Sequence, residues 1–82
     1  MKIKQDRDKY NIGRNIREFR LAHDMTQEEV VVKLQLLGIP MSRGTYSHIE
    51  CGMANIRVKE LLALAGIFYV DVGDFFKGMG LE

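Results

Sequence analysis

The stretch Ser42-Arg-Gly-Thr-Tyr-Ser-His-Ile-Glu-Cys-Gly52 holds most of the side chains in this sequence that could do chemistry. The hydroxyls of Ser42, Thr45 and Ser47 can bond phosphate oxygens, as can the amides at a helix N-terminus. The Arg43 guanidinium can bond O6 and N7 of one guanine together, which makes it the best candidate base reader. His48 fits a nucleic-acid contact and an idle surface position equally well. Gly44 adds no side chain and costs a helix about 1 kcal/mol relative to alanine. Catalytic readings are weaker. His48 and Cys51 stand three apart and could face one metal ion, but two ligands without a third do not make a zinc site. Cys51 as a nucleophile would have only His23 as another conceivable base, with no third group to orient it. No enzyme activity, cofactor or metal is expected.

These side chains need a scaffold, and the pattern around them is helical. Ile12, Ile16 and Phe19 recur at i, i+4, i+7, with Asn11 as an N-cap and an end near Ala22 or His23. Thr26-Gln-Glu-Glu29 fits a capping box, with Met25 and Val30 placed as a hydrophobic staple. Val30, Val31, Leu34 and Leu37 then form an apolar face. Gly38 suits the left-handed position after a helix, and Pro40 prevents its resumption. Ser42 caps a short third helix that turns Tyr46 and Ile49 inward and ends at Gly52. A fourth helix, about 58–67, is apolar on nearly every side and predicts a central core helix. Asp71 to Asp74 repeats the capping pattern, predicting a fifth helix over 72–76. Residues 1–9 form a basic arm expected to fray, residues 10–77 the domain, and residues 78–82 a tail. Leu81-Glu82 matches a common expression-vector ending.

The whole is an all-α, five-helix domain. With 82 residues the chain makes one domain. Its 46% apolar and 28% charged content suits a globule rather than a disordered chain. The longest apolar run, Leu61 to Val70, is too short for a bilayer, and the charged opening lacks a signal-peptide core. A single cysteine excludes an internal disulfide framework and fits a cytoplasmic location. Net charge is +1, unevenly placed. Residues 1–23 carry seven Lys/Arg against three acids, a local +4, and the remainder carries −3. That asymmetry permits a polyanionic partner without requiring one.

Ile16-Arg-Glu-Phe-Arg20, Thr26-Gln-Glu-Glu-Val30, the Ser42–Gly52 stretch and the trailing Glu60-Leu-Leu and Val70-Asp-Val-Gly-Asp-Phe75 together resemble the lambda-repressor-like helix-turn-helix family, of Cro/Xre type. The resemblance spans about residues 10–77. It implies a second helix that braces on the DNA backbone and a third that enters the major groove, the docking for which this family is a standard example. Gln27 matches a phosphate anchor that can also brace the recognition helix. Ser42 and Thr45 match phosphate contacts, and Arg43, Gly44, Ser47 and His48 match groove-facing positions. Arg20 and Glu50 match a buried ion pair joining helices one and three. Two departures stand out. Gln27 to Glu50 spans 24 residues, longer than the family's usual spacing, with the surplus around Leu36 to Met41. Val31 stands where alanine is usual.

The expected function is a sequence-specific, double-stranded DNA-binding transcriptional regulator, repressor-like, acting as a homodimer on DNA. Phe76 and Met79 offer a candidate apolar patch for that dimer, unless Phe76 folds back onto helix one. Two alternatives stay open: the antitoxin of a toxin–antitoxin pair, with a toxin as protein partner, and a protein-interaction module that binds no DNA.

Overall fold

The computed structural model describes residues 12–78. Four α-helices follow in order: α1 Ile12–Ala22, α2 Gln27–Leu36, α3 Arg43–Glu50 and α4 Val58–Phe68. A 3-10 turn, Val72–Phe76, closes the described chain. The Asn11 cap, the 1–9 arm and Met79 lie outside these residues.

Local sequence accounts for the boundaries. The Thr26 hydroxyl accepts from the Glu29 amide at 3.1 Å, and the Glu29 carboxylate accepts from the Thr26 amide at 2.8 Å. That closed box starts α2 and settles two otherwise unpaired amides. The helix stops where Gly38 turns left-handed, at φ +82°. Ser42 starts α3 by accepting from the Thr45 amide at 3.1 Å. Gly52, at φ +76°, follows its end.

Three expectations need correction. The fifth helix is only a 3-10 turn. Its Asp74 amide bonds the Asp71 carbonyl three residues back, at 2.9 Å. Five residues are too few to propagate an α-helix, and the turn is held from outside. Asn15 donates to the carbonyls of Phe75 and Lys77 at 2.7 and 2.9 Å. The fourth helix is not enclosed on every side. Leu61, Leu64, Ala65 and Phe68 face inward, but Val58 and Leu62 are 75% and 57% exposed, because the small fold covers only one flank. Leu37 is not on the buried face of α2 either. The helix ends one residue before it, and the chain turns Ile39 and Met41 into the core instead.

That last exchange accounts for the unusual helix two to helix three spacing. The usual turn of this motif has three or four residues. Here six residues, 37–42, separate α2 from α3. They form an anchored plug: Ile39 and Met41 are buried, and Gln35 donates to the Met41 carbonyl at 3.2 Å. The bulkier Val31 is accommodated, since it is buried in the same core.

The core lies where the four helices meet, around Ile16, Val30, Leu34, Tyr46, Leu64 and Phe68. Phe75 joins it edge-on to Phe19, with ring centroids 5.5 Å apart. Phe76 is partly buried against the same core, and Met79, the other residue of the expected patch, lies outside the described residues. Among the described residues, no helix is long and apolar enough to cross a membrane.

Candidate nucleic-acid interface

Helix α3 is amphipathic in the strict sense. Tyr46, Ile49 and Glu50 are buried, while Ser42, Arg43, Gly44, Thr45 and His48 are exposed and Ser47 is half-buried. The structure therefore places six of the seven candidate contact residues along one side of one helix. Among the described residues, Arg43 and His48 hold no side-chain hydrogen bond or ion pair, which leaves their donors available to a ligand. The hydroxyls differ from them. Ser42 Oγ donates to Thr45 Oγ1 at 3.0 Å while capping the Thr45 amide. The Thr45 hydroxyl accepts that bond, which leaves its own proton free to point outward.

The seventh residue, Gln27, is half-buried at the start of α2. Its amide donates to Glu50 Oε1 at 3.0 Å. This makes Gln27 a brace on the end of α3 rather than a wholly free side chain. Glu50 is the meeting point of three helices. Arg20 of α1 donates through Nε to Oε2 at 2.7 Å and through Nη2 to Oε1 at 3.1 Å. A third Arg20 donor, Nη1, reaches the Met25 carbonyl at 2.8 Å. A two-pronged pair of this kind fixes direction as well as distance.

Burial pushes the Glu50 carboxyl toward protonation, but the hydrogen bonds from Arg20 and Gln27, with the nearby Tyr46 hydroxyl adding to them, outweigh it and hold the group below its ordinary range. The Arg20 hydrogen bond to Glu50 holds the guanidinium pKa above its ordinary value. Burial likewise raises the Tyr46 hydroxyl. That hydroxyl lies close enough to influence Glu50, yet makes no hydrogen bond of ordinary geometry. The ion pair thus sits directly under the outward face of α3.

A second device aligns α1 with α3. Gly13 packs against the last turn of α3 so closely that an added Cβ would collide with the Ile49 carbonyl oxygen and lie 2.8 Å from that of Glu50. Glycine is needed here for backbone approach rather than for a turn.

The sequence pattern does not single out Asn55 and Arg57, which the fold brings beside the α3 start. They share a shallow concavity with Pro40, Met41, Ser42, Thr45 and Glu60. Both are exposed and sit just before α4. The available signal was a polar and basic residue directly ahead of a helix start, which reads equally well as solvated loop. Cys51 is exposed after the last turn of α3. Among the described residues, no group of three His, Cys, Asp or Glu side chains could hold a metal ion.

A braced helix followed by a capped, outward-facing short helix defines a helix-turn-helix protein. The family described as Helix-turn-helix matches residues 16–75, so the chain belongs to this lambda-repressor-like, Cro/C1-type family of DNA-binding domains. No curated protein and no solved structure matches the chain.

Proposed function

We propose that this chain is a sequence-specific transcriptional regulator that places α3 in the major groove of double-stranded DNA and acts there as a homodimer. The observation that carries the reading is the outer face of α3. It combines short polar side chains and a free arginine on a helix whose opposite face is locked by a buried ion pair. The major groove, about 12 Å wide, admits one such helix. In this reading Ser42, Thr45, Asn55 and Arg57 position the domain on phosphates. Arg43, Ser47 and His48 read base edges, and Gly44 permits close approach. A Cβ at Gly44 would meet no atom of the fold within 4 Å, so the folded chain itself does not require glycine there. Gln27 acts through Glu50, holding the reading helix at its angle. One short helix reads too few base pairs to single out a genomic site, hence two copies on half-sites roughly 34–36 Å apart or a multiple of that.

Selection from random duplexes followed by salt titration tests this. Enrichment of a two-fold-related motif is expected, with affinity falling steeply as salt rises. No duplex binding at low salt, or equal binding to every sequence, would refute it. Arg43→Ala should cost about 1–3 kcal/mol on the selected site and relax preference at one or two base pairs. Thr45→Ala should instead weaken binding to all sequences similarly, because phosphate contacts position without reading. Competition binding with selected and scrambled duplexes separates the two. Unchanged preference in Arg43→Ala would remove α3 as the reader.

A further inference from the structure

The two-copy reading needs a surface of its own, and one is present on the far ends of α2 and α4. A shallow groove opens there, lined by Lys33, Leu36, Leu37, Gly66, Ile67 and Tyr69. Its apolar walls stand in solvent: Leu36 is 81% exposed, Leu37 58% and Tyr69 88%. A second concavity shares Lys33 and Leu36 and carries the apolar seam on to Val32, itself 46% exposed. These four side chains present on the order of 500 Å², toward the upper end of what a lone soluble domain exposes in one patch.

Gly66 points the same way. It lies inside α4, where only proline is less favourable. A Cβ on it would meet no atom within 4 Å. The folded chain therefore gives no reason for glycine at this position, whereas a second surface laid into the groove would use the space.

We propose that this groove seats a second copy of the chain, paired about a two-fold axis so that the Tyr69 ring of each copy enters the other copy's groove over Gly66. The inference rests on the homodimeric reading above and assigns it a surface. Three features favour a second copy over other occupants. A two-fold interface must be complementary to itself, and this patch holds a protruding ring and a hollow side by side. The area is also suitable. The exposed surface of Val32, Leu36, Leu37 and Tyr69, on the order of 500 Å², would supply most of the roughly 800 Å² per partner that a stable complex buries. Charge beside the groove disfavours a polyanion as occupant. Asp24, Glu28 and Glu29 line the adjoining concavity and would repel phosphate, while Lys33 at the junction offers the opposite sign for a second copy's acids.

Sedimentation of the full chain, with Tyr69→Asp and Gly66→Ala variants, decides the matter. The wild type should dimerise with rising concentration. Tyr69→Asp should weaken dimerisation by about thirtyfold, the loss expected of a central tyrosine anchor. Gly66→Ala should weaken it too while raising Tm by a few degrees, since alanine favours the helix. That combination of opposite effects is not what a generally damaged fold produces. Both variants should still bind a duplex carrying one half-site as the wild type does. Dimerisation indifferent to both substitutions would overturn the inference while leaving the DNA-binding reading intact. So would a chain that stays monomeric free and on DNA, or one that pairs through this groove only with a different protein such as a toxin. Dimers that respond to both substitutions, in a chain that binds no duplex, would support the groove and refute the DNA reading.

Discussion

Arg20→Ala is expected to destabilise the domain by about 3–5 kcal/mol, because it strands the Glu50 carboxylate in a buried position. Small domains have only about 5–15 kcal/mol in total, so a large share of the fold's stability depends on this one guanidinium. The loss has two parts. The bidentate contact disappears, and the Met25 carbonyl loses its donor as well. Urea denaturation of the variant measures it, and a cost below about 1 kcal/mol would show the pair to be dispensable. Replacing both partners with apolar residues should cost much less than the two single changes together, since no charge is then left unpaired.

The same pair sets an acid limit. Glu50 in the folded chain has a pKa below the ordinary carboxylate value. The stability it contributes is therefore fully present above that ordinary value and is lost as pH falls through the lowered one. In Arg20→Ala the largest hydrogen-bonding support is gone while burial remains, so the Glu50 pKa should rise, and the stability gap between variant and wild type should narrow as pH falls. Urea denaturation of both chains between neutral and strongly acidic pH would show the narrowing, and a gap that stays constant into acid would contradict it.

Gly13→Ala should also be damaging, for a reason unrelated to charge. Alanine normally improves a helix interior by about 1 kcal/mol. At Gly13 the added methyl collides with the Ile49 carbonyl oxygen, a backbone atom that no side-chain rotation can clear. Helices α1 and α3 must separate, and overpacking of this kind costs typically 1–3 kcal/mol and sometimes more. The separation would also disturb the Arg20–Glu50 geometry, so the variant should lose DNA affinity beyond what its stability loss explains. Binding measured well below its melting temperature tests that. A Gly13→Ala variant as stable as the wild type would mean the helices part without penalty.

Features with a local physical cause were readable in the sequence. The Thr26–Glu29 box, the Ser42 cap and the left-handed Gly38 each depend on a few neighbouring residues, and each lies where its local pattern puts it. The inward phases of Tyr46 and Ile49 followed from helical periodicity alone, which also grouped the candidate contact residues on one side of α3. Choices among chemically similar residues were not readable. Leu37, Ile39 and Met41 are all apolar, and which of them enters the core depends on a helix ending one residue earlier. Val58 and Leu62 carry the same hydropathy signal as Leu61 and Leu64, and only the placement of α2 and α1 divides them. Asn55 and Arg57 meet Ser42 and Thr45 through tertiary folding, which no local period encodes. The same holds for the groove between α2 and α4, whose two walls lie far apart in the chain.

The separation of duties within α3 has a consequence for how such a chain can change. Residues that hold the helix (Tyr46, Ile49, Glu50) point one way, and those that would address a ligand (Arg43, Ser47, His48) point the other with no side-chain bond to the scaffold. Exchanging the second set leaves every buried contact of the first untouched. In the proposed role the helix would serve as an interchangeable key blank, into which new target preferences could be cut without renegotiating the fold beneath.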